Sequence, residues 1–171
     1  MISAAFALIF FCLCLFAAFK DTLTLLIPNW LNLSIVILFV PAAFASQIGW
    51  QLMGAHLIAG AIAFVVSFGL FAFRIFGGGD SKMIPGVVLW VGPAGAMHFV
   101  FGMAMMGGLL SIIVFFMRRM VPAEVAPGFA QSLLNQENGV PYGVAIAAGG
   151  FYAAGQSPLL IGLVNLLNGI H

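Results

Sequence analysis

Between Met83 and Met117 the sequence contains no lysine, arginine, aspartate or glutamate. This run is longer than the roughly 20 apolar residues that one helix needs to cross a bilayer. The whole chain has the same character, because 64% of its 171 residues are hydrophobic and only 5% are charged. Since backbone groups in lipid must find their hydrogen bonds within the protein, the composition predicts an all-α, polytopic transmembrane bundle with a single domain over residues 1–171.

The apolar runs predict five to six membrane spans. The first three are residues 2–19, 33–45 and 51–73. The uncharged run is too long for one crossing, and VGPAGAMH at 91–98 supplies the turn residues that would fold it into a hairpin of two spans. A last span begins at Pro141 and is interrupted at 155–158, so the tail 158–170 either crosses the membrane or lies along its interface. We therefore expect about six helices.

The few charges predict the orientation. If the loop after the first span is cytoplasmic, all lysines and arginines lie on the cytoplasmic side, and the N-terminus lies outside. All four acidic residues share that side. These charged residues are Lys20, Arg74, Lys82, Arg118 and Arg119, with Asp21, Asp80, Glu124 and Glu137.

Two of the acidic residues border membrane spans. Asp21 follows the first span and Asp80 leads into the fourth, whereas Glu124 and Glu137 lie in a polar loop. A carboxylate close to the hydrocarbon core is costly, so Asp21 and Asp80 are candidate functional residues. The alternative is that each caps a helix or turn, since aspartate is a favoured N-cap residue.

Three consecutive glycines, Gly77, Gly78 and Gly79, precede Asp80. Glycine accepts positive φ angles and has no side chain, so this loop allows a substrate main chain or a neighbouring helix to approach closely. A flexible linker fits less well, because the glycines end directly at an acid and a helix start. A phosphate-binding loop also fits poorly, because the GxxxxGK[ST] spacing is absent.

Three motifs in order resemble the prepilin peptidase family of GxGD membrane aspartyl proteases, specifically the small type associated with tight-adherence (Flp) pili. The first motif is an aspartate followed by IPN, the second is GxGD with a lysine two residues on, and the third is PYGVAIAAG at 141–149. Their residues are Asp21, Ile27, Pro28 and Asn29; Gly77, Gly78, Gly79, Asp80 and Lys82; and Pro141, Tyr142 and Gly143.

The resemblance implies six helices and a catalytic pair, Asp21 and Asp80, with the other motif residues around them. It also implies cleavage of the short leader of a prepilin or pseudopilin after a glycine, at the cytoplasmic surface of the bacterial inner membrane. The expected partners are this substrate, through its hydrophobic N-terminal helix, and the lipid bilayer, with no nucleic acid. Larger members carry an insertion with paired CxxC motifs and a second, N-methylating activity; this chain has no cysteine beyond Cys14, so we expect peptidase activity alone.

A carboxyl pair suits amide hydrolysis independently of the resemblance. One ionised carboxylate activates water while one protonated carboxyl polarises the carbonyl, and two close like charges favour that mixed state. The three histidines, His56, His98 and His171, fall on or near the opposite half, and neither a metal nor an organic cofactor is expected. The alternatives are another GxGD protease that cuts within lipid-embedded helices, a small transporter and a non-enzymatic assembly subunit.

Overall fold

The computed structural model describes residues 2–121, 131, 133–135 and 138–169, so Glu124, Glu137, His171 and residue 170 lie outside the described part. The described residues form six α-helices and no strand. The helices are α1 (Ile2–Thr24), α2 (Asn29–Ala45), α3 (Gly49–Ala72), α4 (Asp80–Met120), α5 (Tyr142–Ala153) and α6 (Ile161–Leu167). Helices α1, α3 and α4 are long and apolar enough to cross a membrane, which confirms the predicted all-α membrane fold.

Helix α4 is a hairpin of two helical arms. Gly92 interrupts its helical backbone with φ 69° and ψ −176°, which separates a first arm, 80–91, from a second arm, 93–120. Gly107 of the second arm packs against Tyr142, at the end of the bundle where the first arm begins. The second arm therefore returns antiparallel to the first, and the hairpin predicted from the turn residues is confirmed.

Helix α3 supplies a hydrogen bond that the first arm of α4 lacks. Pro85 has no N–H group, so the carbonyl of Ser81, four residues earlier, has no helical donor. The Ser67 hydroxyl of α3 donates to this carbonyl at 2.8 Å. The polar side chain thus fixes the first turn of α4, which begins with Asp80.

The same relation recurs at the other end of that arm. Pro93 leaves the Leu89 carbonyl without its helical donor, and His56 of α3 lies with Nδ1 2.8 Å from it. Because a carbonyl only accepts hydrogen bonds, Nδ1 carries the proton. The His56 ring also packs directly on Gly92, where a Cβ atom would collide with it. His56 therefore holds the turn of the hairpin.

Two predicted helix boundaries were wrong. Helix α1 continues to Thr24, so Asp21 lies inside the helix and not after it. Helix α2 begins at Asn29 and not at residue 33, directly after the extended backbone of Pro28. Both errors have one cause. Each predicted span stopped beside the nearest charged or polar residue, whereas such residues remain helical where a span approaches the membrane surface.

Helix α5 lies between α1 and the hairpin, and its glycines allow the contact. A Cβ atom on Gly150 would lie 3.1 Å from Val87, and one on Gly149 would lie 2.7 Å from the Phe99 carbonyl oxygen, so α5 touches both arms of α4. A 3₁₀ turn follows, and the chain bends by 87° before α6. The predicted interruption at 155–158 is confirmed, and the seven residues of α6 are too few to cross a bilayer alone.

Candidate active site

A cavity of about 680 Å³ lies at the end of the bundle where α1 ends and α4 begins. Its walls come from the last turns of α1, the connection to α2, the glycine loop and the first turn of α4. The lining residues are Lys20, Asp21, Thr24, Leu25, Leu26, Ile27, Pro28, Asn29, Gly77, Gly78, Gly79, Asp80 and Lys82. The structure thus brings the first two predicted motifs together around one space, which we call the aspartate cavity.

Asp21 is held by the start of α5. Its side chain is buried, and Oδ2 accepts a hydrogen bond from the Gly143 N–H group at 2.7 Å. Gly143 belongs to the first turn of α5, where N–H groups have no helical acceptor and where a negative charge is favoured. The side chain of Asp21 therefore caps a distant helix, and the alternative that it caps a turn of its own segment is wrong.

The third motif lies behind Asp21 and not in the cavity wall. A Cβ atom on Gly143 would lie 3.0 Å from both Cβ and Oδ2 of Asp21, closer than an ordinary contact. Pro141 precedes α5 as its N-cap residue, and the Tyr142 ring packs against Phe76 with centroids 5.7 Å apart. This motif supports Asp21 from the side opposite the cavity.

Asp80 is the first residue of α4. The N-cap position belongs to Gly79 and has no side-chain hydrogen bond, so Asp80 is not the N-cap that the alternative interpretation required. Its carboxylate points back over the glycine loop, because a Cβ atom on Gly77 would lie 3.0 Å from Oδ2. Asp80 and Asp21 line the same cavity, where two ionised carboxylates would repel each other.

The three glycines serve close packing and not an unusual backbone. Among the described glycines, positive φ occurs at Gly49, Gly92 and Gly169, so the expectation of positive φ in the loop was wrong. Close contacts occur at two positions, but with side chains of this chain and not with a substrate or a neighbouring helix. Gly77 faces Asp80, and a Cβ atom on Gly79 would lie 3.0 Å from Cβ of Ile27, in the IPN motif.

Lys82 and Asn29 join the second motif to the first. The Lys82 ammonium group donates to Oδ1 of Asn29 at 2.8 Å, across the rim of the cavity. This bond ties the start of α2 to the first turn of α4. Lys82 is exposed at this rim.

The other candidate groups lie elsewhere. His56 lies by the turn of the α4 hairpin, and within the described residues no three His, Cys, Asp or Glu side chains are grouped as a metal site would require. Cys12 is exposed and Cys14 is buried, so the two thiols lie on different faces of α1. The chemistry that the aspartate cavity offers is therefore that of two carboxyl groups.

A comparison with protein families gave a match. The sequence model of the type IV leader peptidase family covers residues 8–112, more than half of the chain. The chain belongs to the type IV leader peptidase family. Comparisons with curated proteins and with solved structures gave no match. The matched range contains both aspartates but ends before Pro141, so the third motif lies outside it. The contact between Gly143 and Asp21 joins this motif to the matched part of the chain.

Family membership confirms the resemblance to the prepilin peptidase family, without distinguishing the tight-adherence type, and identifies the chain as a membrane protein of a peptidase family. Two features of this region of the bundle have no signal in the sequence. Leu25 adopts a φ of 53° where α1 ends, although leucine has no preference for that conformation. Asn32 is a buried polar residue of α2 that hydropathy placed just outside the second span.

Proposed function

We propose that this chain is an aspartyl endopeptidase that removes the leader peptide of prepilins or pseudopilins at the cytoplasmic surface of the bacterial inner membrane, without N-methylation. One observation carries the proposal. Asp21 and Asp80 come from distant parts of the sequence and line the same cavity. The family match supports leader peptides as the substrate class.

The two carboxyl groups would share one proton during hydrolysis. The ionised carboxylate accepts a proton from water as the water oxygen attacks the scissile carbonyl carbon, and the protonated carboxyl donates its proton to the carbonyl oxygen. The first carboxyl then gives its new proton to the leaving nitrogen as the carbon–nitrogen bond breaks. One hydroxyl of the diol returns its proton to the second carboxylate, which leaves a carboxylic acid product and restores the shared proton. The Gly143 N–H group and the glycine loop would keep both side chains in position throughout.

The proposed orientation agrees with the position of the cationic residues. Lys20 and Lys82 line the aspartate cavity. Arg118 lies near the start of α5, because its guanidinium group donates to the carbonyl groups of Asn138 and Gly139. Basic residues concentrated at one end of a bundle favour the cytoplasmic side, which would put the aspartate cavity in contact with the cytoplasm.

The test replaces each aspartate with asparagine. Asparagine keeps the size and the hydrogen-bonding oxygen but cannot ionise, so Asp21→Asn and Asp80→Asn should insert and fold while losing cleavage of a leader-bearing pilin in detergent. The double variant should be no worse than either single variant, because the two groups act as a unit. Activity of more than a few per cent of the parent in either single variant would overturn the proposal.

The rate of the parent should follow a bell-shaped curve against pH. Below the optimum both carboxyl groups are protonated and no base remains; above it both are ionised and no acid remains. The alternative GxGD protease is distinguished by the cut site. Cleavage within the hydrophobic helix of the pilin, and not between leader and helix, would favour that alternative.

A further inference from the structure

A second cavity starts at the same rim and continues toward the opposite end of the bundle. It has a volume of about 570 Å³ and lies among α2, α3 and the first arm of α4; we call it the membrane groove. Asn29 and Lys82 line both the membrane groove and the aspartate cavity. Beyond them the walls are apolar, with Val36, Leu57 and Phe64 among the lining side chains. The groove therefore leads from the aspartates into the apolar part of the bundle.

The groove contains one polar side chain beyond its rim. Asn32 lines the groove, and both polar atoms of its amide are buried with no hydrogen-bond partner in the described structure. An unpaired buried polar group destabilises the protein that contains it. Asn32 lies three residues after Asn29 on α2, which is about one helical turn deeper than the rim. A ligand that offers a hydrogen bond at this depth would satisfy the amide.

The amide distinguishes between the two kinds of molecule that fit an apolar groove in a membrane. A lipid acyl chain has no donor or acceptor. A peptide main chain has both, and an amide side chain matches it because the amide also donates and accepts. The first turn of a helix leaves its N–H groups unpaired, so a peptide that changes from extended to helical presents free polar groups at that point.

We propose that the membrane groove binds the apolar segment that follows the scissile bond of the substrate, and that Asn32 hydrogen-bonds the main chain of that segment before its helix is complete. This inference rests on the proposed peptidase function. The peptide would lie extended over Asp21 and Asp80, pass between Asn29 and Lys82, and continue along the groove. Asn32 is then a specificity-determining residue and takes no part in the chemistry.

Crosslinking from α3 tests where the apolar segment binds. The probe is a synthetic peptide with a basic leader that ends in glycine, followed by about 20 apolar residues. A photoreactive phenylalanine analogue is placed at Ala61, which lines the membrane groove, or at Ala63 as the matched control. Ala63 lines another apolar cavity of about 550 Å³, between α3 and the arms of α4, that does not include the rim residues.

The crosslinking uses the Asp80→Asn variant in lipid bilayers, so that the peptide is bound and not consumed. We expect at least tenfold more peptide adduct from position 61 than from position 63. Equal adducts at the two positions, or only lipid adducts at 61, would overturn the inference. If the parent cleaves the peptide but position 61 gives no adducts, the proposed peptidase function is kept and the inference about the groove is overturned. Adducts at 61 without cleavage by the parent would leave the groove as a binding site and remove the peptidase function.

Substitution of Asn32 tests the hydrogen bond. Asn32→Leu keeps the approximate volume and removes the unpaired amide, so the free protein should resist thermal unfolding as well as the parent or better. The KM for the peptide should rise about tenfold, the effect of losing one buried hydrogen bond, while kcat changes little. An unchanged KM in the folded variant would show that Asn32 serves packing alone and would overturn its assigned role.

Discussion

Replacing Gly77 with alanine should slow leader cleavage, whereas the same change at the neighbouring Gly78 should not. A Cβ atom at position 77 would lie 3.0 Å from Oδ2 of Asp80. At position 78 the nearest atom is Cε2 of Phe71 at 3.4 Å, which is an ordinary contact distance. The two variants thus add the same methyl group to the same loop, and only one of them displaces a carboxylate.

The expected size of the effect follows from these distances. To restore a 3.4 Å contact, the Asp80 carboxylate must move by the difference from 3.0 Å, about 0.4 Å. A displacement of 1 Å at a reacting group costs about 100-fold in rate, so 0.4 Å corresponds to about a five- to tenfold loss of kcat. Neither glycine has a positive φ, so alanine introduces no backbone strain and should slightly stabilise the loop through the unfolded state.

The assay compares kcat of the parent, Gly77→Ala and Gly78→Ala on one leader-bearing peptide in detergent, with thermal unfolding of each protein measured separately. We expect kcat of Gly78→Ala to equal that of the parent and kcat of Gly77→Ala to be lower, with all three proteins equally folded. Equal loss in both alanine variants would mean that the loop acts through its flexibility. Full activity of Gly77→Ala would mean that the position of the Asp80 carboxylate does not limit the reaction.

Two further predictions concern the bundle. Ser67→Ala should lower the free energy of unfolding by about 1 kcal/mol, because it removes an interhelical hydrogen bond. Ser111→Ala should lower it by less, because the Ser111 hydroxyl bonds within its own helix. Equal effects of the two variants in an SDS-unfolding titration would refute the role assigned to Ser67. In the Cys12→Ser protein expressed in cells, a cysteine that replaces Gln47 should react with an impermeant thiol reagent from outside, and one that replaces Ile75 should not. Labelling at position 75 would show that the predicted orientation is wrong.

Much of this architecture follows from local signals. The α4 hairpin was predictable because glycine and proline interrupt an apolar run that is too long for one crossing. The catalytic candidates were predictable because a carboxylate beside a membrane span is costly and therefore unusual. Both inferences depend on a few neighbouring residues and on the general properties of a bilayer.

The contacts that hold the residues of the site in place were not predictable in the same way. The bond between Gly143 and Asp21 joins residues 122 positions apart, and nothing local to either residue specifies the other. Positive φ in the glycine loop was expected because glycine allows it, but the loop instead uses the absence of a side chain. The roles of Ser67 and His56 do have a signal in the sequence, since each proline in α4 leaves a carbonyl four residues earlier that needs a donor.

The donors on α3 also bear on how the protein is assembled in the membrane. The only buried residues of α3 are His56, Gly60 and Ser67, so two of its three buried positions are the polar ones that bond to α4. Until α3 is beside it, the first arm of α4 would expose two unpaired carbonyl groups to lipid, each of which is costly there. Biogenesis should therefore favour entry of α3 and the hairpin into the bilayer as one unit, and an insertion intermediate that contains α4 without α3 should be short-lived.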